Sequence, residues 1–257
     1  MYQQVAAPQA IGGVLDSGFK LFRACFSKVF WLAIAAALVS APIDLLQPYF
    51  QNNTPTGGVV AMIACGVLAA AVLAAVIYGA LIARIDSVAR AAPLSVGDAL
   101  AIGLRRLPAM FVSGLLAVLA VLVGLILVLV PGFIFMIWFV FAPVAVIIER
   151  LGPFESLSYS RALVRGHWWR TAALLTIVGI VLVVVYIVLV MLLSVLIFTN
   201  PSTLATGQAP WYVQFVLAPL VSAVVVPLPY AMMLAIYYDL KARLEGGDLA
   251  ARIAATA

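Results

Sequence analysis

Residues 171–198 read TAALLTIVGIVLVVVYIVLVMLLSVLIF, a run without one charged side chain. Backbone placed in hydrocarbon must satisfy its own hydrogen bonds, so a run of this kind is stable there as a helix, and about 20 residues suffice to cross. Five more apolar stretches reach or approach that length, at about 29–46, 59–82, 109–130, 132–148 and 212–238. The composition agrees: 67% of the 257 residues are hydrophobic and 9% charged, against roughly 25% charged in a soluble domain. The expectation is an all-α polytopic membrane protein with six transmembrane helices, forming a single membrane domain over residues 1–257. The first and fourth stretches are short and would be extended by tilt or by snorkelling flanks. No small-residue cleavage site follows the first, which reads as an uncleaved anchor.

The basic residues support the count of six. Lys20, Arg23 and Lys28 precede span 1, and Arg84, Arg90, Arg105 and Arg106 lie around the connection of spans 2 and 3. Arg150, Arg161, Arg165 and Arg170 lie between spans 4 and 5, and Lys241, Arg243 and Arg252 follow span 6, which accounts for all 14. The alternate connections, 47–58, 130–132 and 199–211, hold none. The positive-inside rule then places both termini and the two basic loops in the cytoplasm; a miscounted pair of spans would have put some of these charges outside.

Three segments before outward-going spans resemble one another: VLDSGFKLFRACFSK from Val14, VGDALAIGLRRLPAM from Val96 and PFESLSYSRALVRGH from Pro153. Each has an acid at its third position, Asp16, Asp98 or Glu155, with basic residues within two or three turns. In the first, Ile11, Val14, Leu15, Gly18, Phe22 and Cys25 share one side of a helix, opposite Asp16, Lys20 and Arg23. In the second, Val96, Leu100, Gly103 and Leu107 share a face, and Ser95 with Asp98 makes a capping box. In the third, Leu157, Val164 and Trp168 share a face, Pro153 suits a first helical turn, and Glu155 suits the positive end of the helix dipole. The pattern predicts three cytoplasmic interfacial amphipathic helices and a threefold internal repeat over 11–86, 94–150 and 152–245, related by an axis along the membrane normal.

Chemistry is sparse. The sole histidine, His167, stands beside Trp168 and Trp169 and fits an interfacial aromatic belt better than a general base without partners. No histidine and cysteine cluster suits a metal, no glycine-rich loop suits a phosphate cofactor, and no nucleophile elbow is present. Glu149 and Glu155 could form an acid–base pair, but a helix-end charge and a helix cap account for them. Cys25 and Cys65 fall at different membrane depths and should not pair. Within the spans Asp44 is the one acid, flanked by Pro42 and Pro48, and reads as an outer-interface turn or cap rather than an ion site. Pro227 and Pro229 interrupt span 6, either as a kink or as a transporter-like break.

The stretch ERLGPFESLSYSRALVRGHWWR (149–170), preceded by VPGFIFMIWFVFAPVAVI and followed by YYDLKARLEGGDL, resembles the bacterial glycerophosphoryl diester phosphodiesterase membrane-domain family. The likeness runs through Pro131 and Gly132, Glu149, Gly152 and Pro153, Glu155, Arg165 and Gly166, and Tyr237 to Leu240. It implies a compact polytopic domain of a bacterial cytoplasmic (inner) membrane without an established activity of its own; no soluble stretch here is long enough for a phosphodiesterase barrel. The expected function is therefore a non-catalytic envelope or lipid-related role without cofactor or metal. A transporter or flippase-like lipid handler, and a scaffold for a protein partner, stand as alternatives. The expected partners are membrane lipids, anionic ones above all, rather than nucleic acid, because the arginines recur beside spans. The candidate headgroup or structural motif is Glu155, Arg161, Arg165, His167, Arg170 and Asp239, with Arg165 either meeting a phosphate or pairing with an acid such as Asp239. The candidate intramembrane polar site is Asp44 with Pro227 and Pro229.

Overall fold

The computed structural model describes the backbone of residues 8–52, 56–127, 129–198 and 212–256, and their side chains except at 40–52, 196–198, 214–215 and 247–256. The described residues are helical and hold no strand. The helices are α1 (Ile11–Asn52), α2 (Gly57–Ala89), α3 (Val96–Leu127), α4 (Leu129–Phe139), α5 (Ala142–Ile148), α6 (Pro153–Val164) and α7 (Trp168–Phe198), then a π-helical turn at Val213–Leu217, α8 (Ala218–Val225) and α9 (Pro227–Thr256). Six segments are long and apolar enough to cross a membrane: Ile11–Val39, Gly57–Ala89, Val96–Leu127, Leu129–Ile148, Trp168–Val195 and Ala218–Gly246. The chain is a multi-pass all-α membrane protein.

Two of the three expected interfacial helices are not separate elements. The segments from Val14 and Val96 are the opening turns of α1 and α3, each continuous with its span. A change from amphipathic to wholly apolar patterning keeps the 3.6-residue period, so nothing in it ends a helix. α3 passes even through Pro108. The buried face of α1 includes Val14, Gly18, Leu21 and Cys25 with Asp16, Lys20 and Arg23 outside, as the spacing predicts, although Ile11 is exposed. That of α3 is turned relative to the expectation: Ala99 and Gly103 are buried and Val96 is exposed.

Span 4 breaks where Pro143 has no N–H to give the carbonyl of Phe139. Chain continuity between α4 and α5 is repaired from α6: the Ser160 hydroxyl donates to the Trp138 carbonyl at 2.6 Å and accepts from the Phe141 N–H at 3.2 Å. The buried side of α6 is accordingly Ser156, Ser160, Leu163 and Val164 rather than Leu157, and it packs on α3, α4 and α5. Pro131 and Gly132, expected in a connection, lie in the first turn of α4. There Gly132 lets the chain meet Gly124 of α3 so closely that a Cβ on Gly124 would lie 2.9 Å from the Gly132 Cα.

α1 packs along α2, α8 and α9, α2 along α3, and α3 along α4 and α5. The core runs through Leu21, Leu81, Ile85, Phe141, Leu234 and Tyr237. Span 6 is interrupted at Val226, whose backbone stays helical (φ −63°, ψ −42°) with its N–H on the Ser222 carbonyl, so the segment is not unwound before Pro227. Helix α1 continues through Pro42 and Pro48, not as the expected turn; the Asp44 side chain lies outside the described residues.

Candidate functional site

The side chains with chemistry gather at the end of the bundle where α1 starts and α9 leaves it. One turn of α9, Tyr237-Tyr238-Asp239-Leu240-Lys241, ties that end together. Tyr237 donates to Glu149 at 2.5 Å and Lys241 reaches the same carboxylate at 2.6 Å, which joins α9 to the end of α5. Tyr238 donates to Asp86 of α2, which also holds Arg90 at 3.0 Å. Asp239, fully buried, accepts from Arg170 of α7 (3.0 Å), Arg243 (3.0 Å) and the Gln9 N–H (2.7 Å). Both guanidinium groups also donate to the Gln9 carbonyl, at 2.5 and 2.8 Å. A buried carboxylate with two cations and a backbone donor is satisfied, whereas removing one partner of such a pair strands a charge at a cost of about 3–5 kcal/mol.

This assigns the expected residues. Asp239 belongs to a structural clamp, and its partner is Arg170, not Arg165. Glu155 caps α6, accepting from the Gly152 N–H at 3.1 Å. Ser95 and Asp98 form the expected cap with a variation: the Ser95 hydroxyl accepts from the Asp98 N–H and donates to its carboxylate. Asp16, the acid of the first of the three similar segments, instead pairs with Lys20 at 2.6 Å. The three similar segments thus use their acids differently. Cys25 and Cys65 are free thiols, the first buried and the second exposed.

Glu149, expected as a plain helix-end charge, takes contacts from Tyr237 and Lys241 that spacing alone does not disclose. Burial pushes its carboxyl up, but the hydrogen bonds from Lys241 and Tyr237, with the charges of Lys241 and Arg90, outweigh this and hold it below its ordinary value.

The pattern Arg165-Gly166 is a turn. Val164 accepts from the His167 N–H at 3.0 Å, Arg165 lies at φ −59°, ψ 130° and Gly166 at φ +83°, which is the geometry of a type II turn that favours glycine at its third position. His167 then precedes α7, its carbonyl accepting from the Thr171 N–H and hydroxyl. The turn sets exposed Arg165 at the rim of a groove of about 500 Å³ between α4 and α7, lined by Val130, Phe133, Ile134, Trp138, Trp168 and Trp169. Arg161 lies over the Trp138 ring, 4.5 Å from its centroid. Trp168 meets Trp169 edge to face, and its buried indole N–H has no hydrogen-bond partner among the described residues.

A second recess, of about 280 Å³, opens between the end of α2, the start of α3 and the end of α5. Ala83, Ile102, Ile147 and Ile148 give it apolar walls, and Asp86, Arg90, Arg105, Arg106 and Arg150 its charge. The placement of these arginines beside spans points to orientation and anionic lipid headgroups; what spacing does not disclose is that Arg150, at the end of α5, joins those of the α2–α3 connection in one recess. No group of histidine, cysteine or acidic residues among the described residues could hold a metal ion.

The fold and its polar end define a helical multi-pass membrane protein braced by a buried ionic clamp. A model of the family described as Domain of unknown function (DUF7847) matches residues 59–240, and the chain belongs to that family. The matched region runs from α2 to Leu240 and so contains Asp86, Glu149, Arg170 and Asp239. No curated protein matches the chain, and no solved structure does.

Proposed function

We propose that this is a non-catalytic protein of the cytoplasmic membrane, with both termini inside, that holds an anionic phospholipid in the groove between α4 and α7. The observation that carries the reading is the joining of a long apolar wall to an unpaired cation. Val130, Phe133, Ile134 and Trp138 line about 12 Å of α4, and the side chain of Arg165 at the rim makes no hydrogen bond or ion pair among the described residues, its backbone N–H alone donating, to the Arg161 carbonyl. An acyl chain along the wall would bring its phosphate to the guanidinium, which can engage it through two parallel hydrogen bonds. Because Arg170 and Arg243 already serve Asp239, the fold does not need Arg165 as a clamp. The acids near this end are engaged in ion pairs or caps, which supports a role without general acid–base chemistry. The likeness to phosphodiesterase membrane domains points toward lipid-related work and brings no hydrolase with it.

Native mass spectrometry of the protein with phosphatidylglycerol or cardiolipin, against phosphatidylcholine, tests this. Arg165→Gln should lower retention of the anionic lipids about fivefold, the equivalent of roughly 1 kcal/mol for one basic residue at a headgroup. Unchanged retention together with a large fall in thermal stability would return Arg165 to a structural role. Hydrolysis of glycerophosphodiesters by pure protein, abolished in Glu149→Gln or Glu155→Gln, would establish the enzyme reading instead.

A further inference from the structure

We infer that the recess lined by Arg90, Arg105, Arg106 and Arg150 is a phosphate-binding site, separate from the groove at Arg165. Four arginines line the recess with one acid, Asp86, which is itself committed to Arg90 and to the Tyr238 hydroxyl. The other cations of this end are largely answered: Lys20 by Asp16, Arg170 and Arg243 by Asp239, Lys241 by Glu149, and Arg84 by the carbonyls of Lys28 and Leu94. The side chains of Arg105 and Arg150 have no such partner among the described residues. Like charges gathered with one counter-charge repel, and an anion entering the recess would relieve that repulsion.

The backbone supplies a second, independent mark. The two described non-glycine residues with positive φ, Ala91 (57°) and Arg150 (59°), both stand at this recess or beside a residue lining it. Ala91 closes α2 in a Schellman turn, Ala92 N–H to Ser87 and Ala91 N–H to Val88, in a position glycine would fill without strain. This turn sends the chain back past Arg90. Arg150 is held in the left-handed region while its carbonyl accepts from Arg106 at 2.9 Å. Strained backbone of this kind persists where surrounding contacts over-determine it, and it gathers at ligand sites.

Chemistry and size narrow the ligand. Planar guanidinium forks match the oxygens of phosphate, and about 280 Å³ lies at the low end for a ligand site. A phosphate with a small ester substituent fits that description better than a nucleotide. The apolar part of α3 begins at Leu107, directly after Arg106, so the recess lies at headgroup depth. Both a phospholipid headgroup and a soluble phosphate ester can supply the group.

The test uses the full-length protein, wild type and Arg105→Gln/Arg150→Gln, with Arg165→Gln as the control for the groove. Thermal unfolding in zwitterionic detergent is followed with inorganic phosphate or glycerol 3-phosphate, and lipid retention is measured in nanodiscs of phosphatidylglycerol against phosphatidylcholine. The double variant should be at least as stable as wild type without ligand, since it removes only repelling charges. It should lose protection by inorganic phosphate or glycerol 3-phosphate by tenfold or more in affinity, whereas the loss expected of Arg165→Gln is in phosphatidylglycerol retention at the groove. Protection by glycerol 3-phosphate identifies a soluble source; variant-sensitive retention of phosphatidylglycerol alone identifies a headgroup. If neither probe responds to the double substitution, or if the double variant unfolds early with phosphate protection intact, the site is overturned.

Discussion

At the scale of the residue, the segment from Tyr237 to Lys241 shows how little a pattern says about partners. Asp239 was legible as a charge at the end of span 6, but its company of Gln9, Arg170 and Arg243 required α7 and the N-terminal segment to arrive at one place. Glu149 was legible only as a charge after an apolar run. Its lowered pKa has a testable consequence. A carboxylate held below its unfolded value adds stability above that value, and loses it as pH falls through the folded one. The window therefore begins near 4.5 and extends below it. Glu149→Gln should lower the unfolding temperature at pH 7, because Lys241 loses its close partner and keeps only exposed Glu245, 3.8 Å away. The gap between wild type and variant should then close as pH is taken below about 4.5. Thermal melts across pH check this, and a gap that stays constant would assign the loss to shape rather than charge.

At the scale of the element, spans were read correctly and their junctions less so. Hydrophobic run length reports a span directly, whereas the continuity of α1 and α3 turns on the absence of a stop, which a change of polarity does not provide. Real stops were written in glycine and proline: Gly152-Pro153 starts α6, Arg165-Gly166 ends it, and Pro143 divides span 4. Glycine also sets how closely α2 and α3 approach. A Cβ at Gly103 would overlap the Val76 carbonyl oxygen and lie 3.1 Å from the Ala80 nitrogen, whereas one at Gly114 meets nothing within 4 Å. Overpacking typically costs about 1–3 kcal/mol, and backbone neighbours cannot turn aside as side chains can. Gly103→Leu should therefore destabilise the protein by about 3 kcal/mol or more, and Gly114→Leu should be close to neutral. Chemical unfolding of both variants in mixed micelles decides the matter; equal effects would mean that α2 and α3 are not held at this crossing.

At the scale of the whole molecule, the bracing is uneven. Ionic and hydrogen-bonded ties join α2, α5, α7, α9 and the segment before α1 at one end. The distal half of α7 instead exposes Ile180, Val183, Tyr186, Ile187, Met191 and Val195, an apolar surface suited to hydrocarbon. Such a surface in water would be an aggregation hazard, so the fold is coherent only in a bilayer. The arginine recess was legible only in part: Arg90, Arg105 and Arg106 stand at one connection in the sequence, but Arg150 and the apolar wall of Ile147 and Ile148 reach it from the end of α5, farther along the chain. The likeness of the three segments was legible as a pattern without disclosing that their acids do different work. The proposed orientation rests on charge: the braced end carries the basic residues, and the positive-inside rule predicts that it faces the cytoplasm. In a background lacking Cys25 and Cys65, single cysteines replacing Asn52 or Thr203 should react with an impermeant thiol reagent added to intact cells. One replacing Ser95, between α2 and α3, should react only after the membrane is opened. Labelling of the Ser95 position from outside would invert the molecule and place the arginine recess and the Arg165 rim on the opposite leaflet.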